Sequence, residues 1–429
     1  MNKNHLREYN FLGDFFMKRY IKVIYIVLTI FMILSNYIVL ADDEDEEYID
    51  NIVQENEKKE IEETASEYSR PTINSRKYVI YDRLSGRCIY GKDENKQTAM
   101  ASTTKIMTIL IVLEHCKLTD VVTMDKKAAK TGGSRLGLSE GDKVTVNDLL
   151  YGLMLRSGND AAVALAIHTA GSVEKFAQLM NDKAKELGLK NTHFVTPHGL
   201  DNPEHYTTAF ELAKLTDYAL KNEKVLEIVK TRTTTINING YNRQISNTNE
   251  LLGNVEGVYG VKTGFTNNAG RCLVTAVKRG DMDLIIVVIG ADTRKDRAKD
   301  SMKLIEYAYK KYRVVNVEEM INKEFKMWKQ INENRIYIYK GITSIETKID
   351  DIKVKKIATD EIPKIEINAV TYLEAPVEKD IRIGSVTVKL GNEVIEEIGI
   401  KVEKKVERRN VFEYIRIISN IYAGKINII

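Results

Sequence analysis

Three short stretches of the chain combine groups that suit acyl-transfer chemistry. The first is Ser102-Thr-Thr-Lys105. On a helix, positions i and i+3 share a face, so the Lys105 amine reaches the Ser102 hydroxyl. A serine hydroxyl is inert near neutral pH unless a base takes its proton. A lysine serves as that base only when burial or another cation destabilises its ammonium. Alone, the pair is common and reads more readily as two residues on a solvent-facing helix. The second stretch is Ser157-Gly158-Asn159, a turn after an apolar helical segment. It presents a hydroxyl suited to relaying a proton and an amide suited to holding a substrate amide, and it also fits a plain helix cap. The third is Lys262-Thr263-Gly264, in a run that also holds Gly257 and Gly260. Lysine, hydroxyl and glycine at one strand edge suit a carboxylate, because glycine lets a ligand approach the backbone closely. A second cation there would also depress the pKa of Lys105.

The surrounding patterns predict what positions these groups. Lys77–Tyr81 and Arg87–Tyr90 read as strands joined by a turn at Arg83–Gly86. Apolar residues at helical period predict helices over Met100–Leu118, Thr145–Leu155, Asp160–Thr169, Val173–Leu187 and Phe210–Asn222. Gly270–Val277 and Asp283–Gly290 read as paired strands, and Arg297–Tyr312 as a closing helix. After about residue 313 the texture changes to short β-prone runs: Ile336–Tyr339, Ile352–Lys356, Lys364–Thr371, Ile381–Leu390 and Glu393–Val402. They predict a small all-β domain over 325–406.

The 429 residues suit two or three domains, and 43% hydrophobic with 29% charged residues is ordinary globular composition. A net charge of +3 gives no global basic excess, so nucleic acid is not an expected partner. Three cysteines, Cys88, Cys116 and Cys272, exclude a disulfide-stapled scaffold. The charge is nevertheless partitioned. Basic residues precede a nineteen-residue apolar stretch, Val23–Ala41, and the acidic run Asp42–Glu47 follows it. That order exports the rest of the chain, with 1–41 as a cleaved signal peptide or, failing cleavage, an anchor. Residues 42–72 read as an acidic tether, Asp42–Arg70 alone holding thirteen acids against three bases. At the other end, 407–429 carries apolar residues at helical spacing among Arg408, Arg409, Arg416 and Lys425. It reads as an amphipathic helix on a membrane surface, or as a terminal helix docked on its own domain. His193, His198 and His205 stand at i, i+5 and i+12, which matches no helical metal pattern. No metal and no cofactor is expected.

Together, in this order and wording, the motifs resemble those of the serine-type D-alanyl-D-alanine carboxypeptidases, the low-molecular-mass penicillin-binding proteins. The resemblance rests on Met100-Ala-Ser-Thr-Thr-Lys-Ile-Met-Thr108, Leu155-Arg-Ser-Gly-Asn-Asp160, Asn191-Thr-His-Phe194, Pro197-His-Gly-Leu-Asp201, His205-Tyr-Thr-Thr-Ala209 and Val261-Lys-Thr-Gly-Phe-Thr266 with Ala269-Gly270. It covers 73–312 closely and the β-rich tail in layout. Ala99 stands where the family usually has Pro, and Glu211 where it usually has Asp. The resemblance implies an α+β transpeptidase-type fold: an antiparallel sheet flanked by helices, with a helical subdomain, and then the β domain. It implies that Ser102 attacks the carbonyl between two D-alanines ending a peptidoglycan stem, with Lys105 as base. Ser157, with Lys262, passes a proton to the leaving amine, and Asn159 orients the substrate amide. Thr263, Lys262 and Arg297 hold the terminal carboxylate. Gly264 leaves room for the ligand, and the N–H groups of Ser102 and Phe265 hold the oxyanion. β-Lactams then act as covalent inhibitors, and the outer face of the cytoplasmic membrane is the place of work, with peripheral attachment. An endopeptidase or transpeptidase acting on crosslinks shares these motifs. A class A-like β-lactamase would need a deacylating Glu-x-x-Leu-Asn setting, which the chain lacks between its second and third motifs.

Overall fold

Every residue from Leu284 to Ile289 is buried, so both faces of this strand must be covered. The computed structural model, which describes residues 70–422, covers them with helices. Along the chain, β1 (Lys77–Asp82) and β2 (Arg87–Lys92) form a hairpin. A 3₁₀ turn over Ala101–Thr104 runs into α1 (Lys105–His115). The short strands β3 (Val121–Thr123) and β4 (Lys143–Thr145) pair around α2 (Lys126–Ala129). Five helices follow: α3 (Val146–Leu155), α4 (Asn159–Ala170), α5 (Val173–Glu186), α6 (Ala209–Ala219) and α7 (Glu223–Lys230). After the hairpin of β5 (Thr233–Ile238) and β6 (Tyr241–Ser246) come β7 (Val258–Thr266), β8 (Gly270–Arg279), β9 (Met282–Ala291) and α8 (Arg294–Lys311).

The main sheet is antiparallel in the order β2-β1-β9-β8-β7. Alternation divides its residues between two cores. Ile285, Val287 and Ile289 of β9 pack with Val274 and Ala276 of β8 against the helices α1 and α3–α7. Leu284, Ile286 and Val288 pack with Leu273 against Leu304, Ile305 and Ala308 of α8. α1 is buried at every position from Lys105 to Val112, which is why its sequence is apolar all round. The helix α8 has a polar surface and buries a stripe at Arg297, Ser301, Leu304 and Ala308.

The C-terminal part is a separate small β subdomain joined through β10 (Arg313–Asn316) and α9 (Val317–Asn332). β11 (Tyr337–Tyr339), β12 (Thr347–Ile349), β13 (Lys356–Thr359), β14 (Lys364–Ala369), β15 (Tyr372–Glu374), β16 (Arg382–Leu390) and β17 (Glu393–Val402) follow. Four of them form the antiparallel sheet β12-β17-β16-β14. Its inner residues Val386, Val388, Ile398 and Ile400 close on Val317, Ile321 and Phe325 of α9. The seam to the main sheet is tight: the backbone N–H of Ala358 donates to the buried Asp82 carboxylate at 2.9 Å.

Two expectations change. Residue 325 falls inside α9, so a helix leads into the β-rich region. Its apolar stripe is only three buried residues among many charges, and that masked the helix period. The strand expected over Ile352–Lys356 forms instead at β13. The N–H groups of Lys353 and Val354 donate to the Glu396 carboxylate at 2.8 and 3.0 Å, so that stretch meets its hydrogen-bonding needs without a strand partner. The terminal helix is described as α10 (Val411–Tyr422). The proposed signal peptide, almost all of the acidic tether and residues 423–429 lie outside the described residues.

Candidate active site

The three motifs meet at the edge of the sheet. Ser102 lies in the 3₁₀ turn, so Lys105 begins α1 one turn later and its amine folds back on the hydroxyl. Lys105 Nζ is 2.8 Å from Ser102 Oγ, 2.7 Å from Asn159 Oδ1 and 3.0 Å from the His198 carbonyl. The side chain is wholly buried. Its pKa is held well below the ordinary amine value, first by burial and then by the charge of Lys262, with the Asp160 carboxylate opposing. A neutral amine carries two hydrogens and one lone pair. Asn159 Oδ1 and the His198 carbonyl accept the two hydrogens, which leaves the lone pair for the Ser102 hydroxyl.

Two close approaches fix the turn. Gly264 of β7 passes so near that a Cβ there would lie 3.1 Å from the Ser102 backbone nitrogen and 3.1 Å from the Ala101 Cβ. Gly199, at φ +83°, fits where a Cβ would lie 1.9 Å from the Ala101 carbonyl oxygen. Ala101 itself has φ +49° and Ser157 has φ +59°, left-handed conformations that are costly for both residues. The Thr104 hydroxyl donates to the Ala101 carbonyl at 2.7 Å and meets His205 Nε2 at 2.8 Å. The His205 Nδ1 accepts the Val195 N–H at 3.0 Å, which places the ring hydrogen on Nε2. Burial, then His193 and Lys105, push the His205 pKa down to about 4, so the ring is a neutral strut.

The second motif sits in the turn into α4. Ser157 Oγ is buried without a protein hydrogen-bond partner and lines the same cleft as Ser102. Asn159 uses both ends of its amide: Oδ1 on Lys105, and Nδ2 donating to the Gly132 carbonyl at 2.7 Å. The third motif is part of β7. Lys262 is buried on the helical side, and burial, then Arg297, push its pKa down to about 7. Thr263 and Phe265 face the cleft, and the Thr263 hydroxyl bonds that of Thr248 at 2.7 Å. Arg297, on the first turn of α8, is 4% exposed and pairs with Glu250 at 2.5 Å. Of the nine residues expected from the sequence, Ser102, Ser157, Thr263, Gly264, Phe265 and Arg297 line the cleft. Lys105 and Asn159 join it through the Ser102 hydroxyl, and Lys262 is buried behind it, donating to the Thr263 carbonyl at 3.1 Å.

Two contributors carried no motif, and three others stood in quoted stretches without an assigned role. Thr248 and Glu250 precede β7 by a loop, and only their shared cleft with Thr263 and Arg297 marks them. His198 acts through its carbonyl, while its Nδ1 accepts the Leu200 N–H at 3.2 Å. Asp160 is fully buried, and its carboxylate accepts the N–H groups of Leu136, Gly137 and Leu138 at 2.8 to 3.1 Å. It ties the loop that supplies the Gly132 carbonyl to the start of α4. Glu211, the departure from the usual Asp, accepts from the Asn191 N–H at 3.0 Å and the Thr192 hydroxyl at 2.6 Å, away from the nucleophile. Among the described residues no group of three or more His, Cys, Asp or Glu is placed to hold a metal ion.

A family model described as D-alanyl-D-alanine carboxypeptidase matches residues 63–293. The chain belongs to this family. It is 33% identical to D-alanyl-D-alanine carboxypeptidase DacF of Bacillus subtilis over 79% of this chain and 87% of that one. It is 31% identical to D-alanyl-D-alanine carboxypeptidase DacA of Escherichia coli over 82% of this chain and 90% of that one. Penicillin binding protein 5 of Haemophilus influenzae superposes with a TM-score of 0.64 at 28% identity, over 80% of this chain and all of that one. The DD-transpeptidase of Streptomyces K15 superposes on the catalytic part with a TM-score of 0.54 at 36% identity, covering 56% of this chain and 98% of that one. Serine-type D-Ala-D-Ala carboxypeptidase activity is typical of the family. At family level, membership links the carboxypeptidase to peptidoglycan stem peptides, penicillin-binding chemistry and an extracytoplasmic, membrane-associated setting.

Proposed function

We propose that this carboxypeptidase removes the terminal D-alanine of peptidoglycan stem pentapeptides through an acyl-enzyme on Ser102. The observation that carries the assignment is the Lys105 amine, 2.8 Å from Ser102 Oγ with acceptors for both its hydrogens. Lys105 takes the hydroxyl proton as Ser102 Oγ attacks the carbonyl between the two D-alanines. The developing oxyanion lies between the N–H groups of Ser102 and Phe265, a reading supported by the close pass of Gly264 over the Ser102 nitrogen. Ser157, whose hydroxyl has no protein partner, relays a proton with Lys262 to the leaving amine. Asn159 positions Lys105 and keeps its second Nδ2 hydrogen for the substrate amide. Thr263, Lys262 and Arg297 hold the terminal carboxylate. Terminal D-alanine departs and water hydrolyses the ester. β-Lactams stall at that ester.

The finer localisation belongs to the same reading. Val411, Phe412, Ile415 and Ile418 of α10 are exposed, beside Arg408, Arg409 and Arg416. They suit peripheral attachment to the outer face of an anionic membrane. The test of the activity is to incubate the purified protein with a defined stem pentapeptide and with crosslinked muropeptides, and to read the products by mass. Tetrapeptide and free D-alanine are the expected main products. Crosslink cleavage or dimer formation as the main outcome would replace this reading with an endopeptidase or transpeptidase.

A further inference from the structure

The catalytic cleft encloses about 680 Å³, far more than a terminal alanine fills. Past Thr263 it is lined by Phe265, Arg271, Arg294 and Lys295. Strand register places these residues. Thr263 and Phe265 are two apart on β7 and share a face. Arg271 lies opposite Phe265 in the β7–β8 pair, with its guanidinium 3.8 Å from the Phe265 ring centre. Leu273, on the same face of β8, packs into the α8 core, so this is the face that α8 covers. The first turn of α8 then adds Arg294 and Arg297.

The charges do not balance. Arg156, Arg271, Arg294, Lys295 and Arg297 line the cleft with one carboxylate, Glu250, which is bound to Arg297. Among the described residues no carboxylate pairs with Arg271 or Arg294. Arg271 Nε and Arg297 Nε are buried without a protein hydrogen-bond partner. Stacking on Phe265 fixes the plane of the Arg271 guanidinium and leaves its N–H edge for a ligand. Burial first, then the charges of Arg294 and Arg297, lower the Arg271 pKa. Such a cluster is held against its own repulsion and is relieved by an anion.

We propose that Arg271 and Arg294 form a second anion subsite beside the terminal-carboxylate site, which takes an acidic group on the side chain of the leaving residue. The proposal rests on the reading of Ser102 as nucleophile and of Thr263 and Arg297 as the site of the leaving residue's own carboxylate. A residue held there directs its side chain along Phe265. The methyl of D-alanine stops short of Arg271, whereas a longer acidic side chain reaches it. The substrate class is therefore stem peptides whose leaving residue carries an acid group beyond its α-carboxylate.

Three synthetic pentapeptides that differ only in the last residue, D-alanine, D-glutamate or D-glutamine, test this. Wild type should cleave the D-glutamate peptide with a kcat/KM at least about tenfold above that of the D-glutamine peptide, with the gain in KM and shrinking as salt is raised. R271Q and R294Q should each bring that ratio close to one, and R271K should keep part of it. Labelling of Ser102 by a fluorescent penicillin counts the competent sites in every variant, so a folding defect is read separately. A wild-type ratio near one, or a ratio that survives both substitutions, overturns the subsite. Wild type that takes the penicillin label yet cleaves none of the three peptides overturns the carboxypeptidase reading, and the subsite with it.

Discussion

At the scale of single residues, catalysis depends on a proton balance between two buried lysines. Lys105 works as a base only while neutral, and the charge of Lys262 is the second cause, after burial, of its low pKa. K105A should slow acylation by a β-lactam about 10²- to 10⁴-fold, measured as the labelling rate, and acylation at the normal rate would refute the assignment. Lys262 titrates near 7: it is charged below that pH and neutral above it. Its pull on a terminal carboxylate is therefore lost as pH rises through about 7. KM for carboxylate-ended peptides should climb over that window, and K262M should remove the inflection. The pairing of Ser102 with Lys105 was legible from the i, i+3 spacing. The carbonyl of His198 was not, because a backbone acceptor leaves no mark in residue type. Glu250 and Thr248 were hidden for another reason: they belong to a loop whose partners are remote in sequence.

At the scale of elements, loops buttress the catalytic turns, and two buried groups hold the loops. Asp160 accepts three backbone N–H groups from Leu136–Leu138, and D160A would leave those donors without a partner. It should lower stability by at least about 1–3 kcal/mol in denaturant unfolding, the cost of a buried donor left unsatisfied, and unchanged stability would show that the loop is not held there. His205 braces the turn before Ser102 as a neutral ring. Its pKa is about 4 when folded and about 6.5 when unfolded. The unfolded chain binds more protons between those values. The stability from His205 is thus complete above about 6.5 and is lost as pH falls toward 4. Thermal unfolding from pH 7 to 4 should show that slope, and H205Q should reduce it but not abolish it, because burial and then Lys105 push the His198 pKa down to about 3 and add a slope of the same sign. β9 and α1 were legible as long apolar runs, although both are buried all round. The helix α9 was not, because its three buried residues are diluted by charge, and the short hairpin β5–β6 carries mostly polar residues.

At the scale of the whole molecule, the feature that bears on location is the terminal helix. The α10 face of Phe412, Ile415 and Ile418 is exposed, and the chain before it brings Arg408 and Arg409. Removal of residues 408–429 should abolish binding to anionic vesicles in a flotation assay, with kcat/KM on a soluble pentapeptide kept within about twofold. Retained vesicle binding would place the membrane contact elsewhere. Among the described residues no helix is long and apolar enough to cross a bilayer. The amphipathic character of this end was legible from spacing alone, whereas the seam between Asp82 and Ala358 required the fold. The central claim is an acyl-enzyme on Ser102, and the most direct measurement is D-alanine release and intact mass with wild type and S102A side by side. Wild type should release D-alanine from a stem pentapeptide and gain the mass of one opened β-lactam on the peptide that contains Ser102, while S102A does neither. D-alanine release by S102A, or an adduct on another residue, would contradict the account.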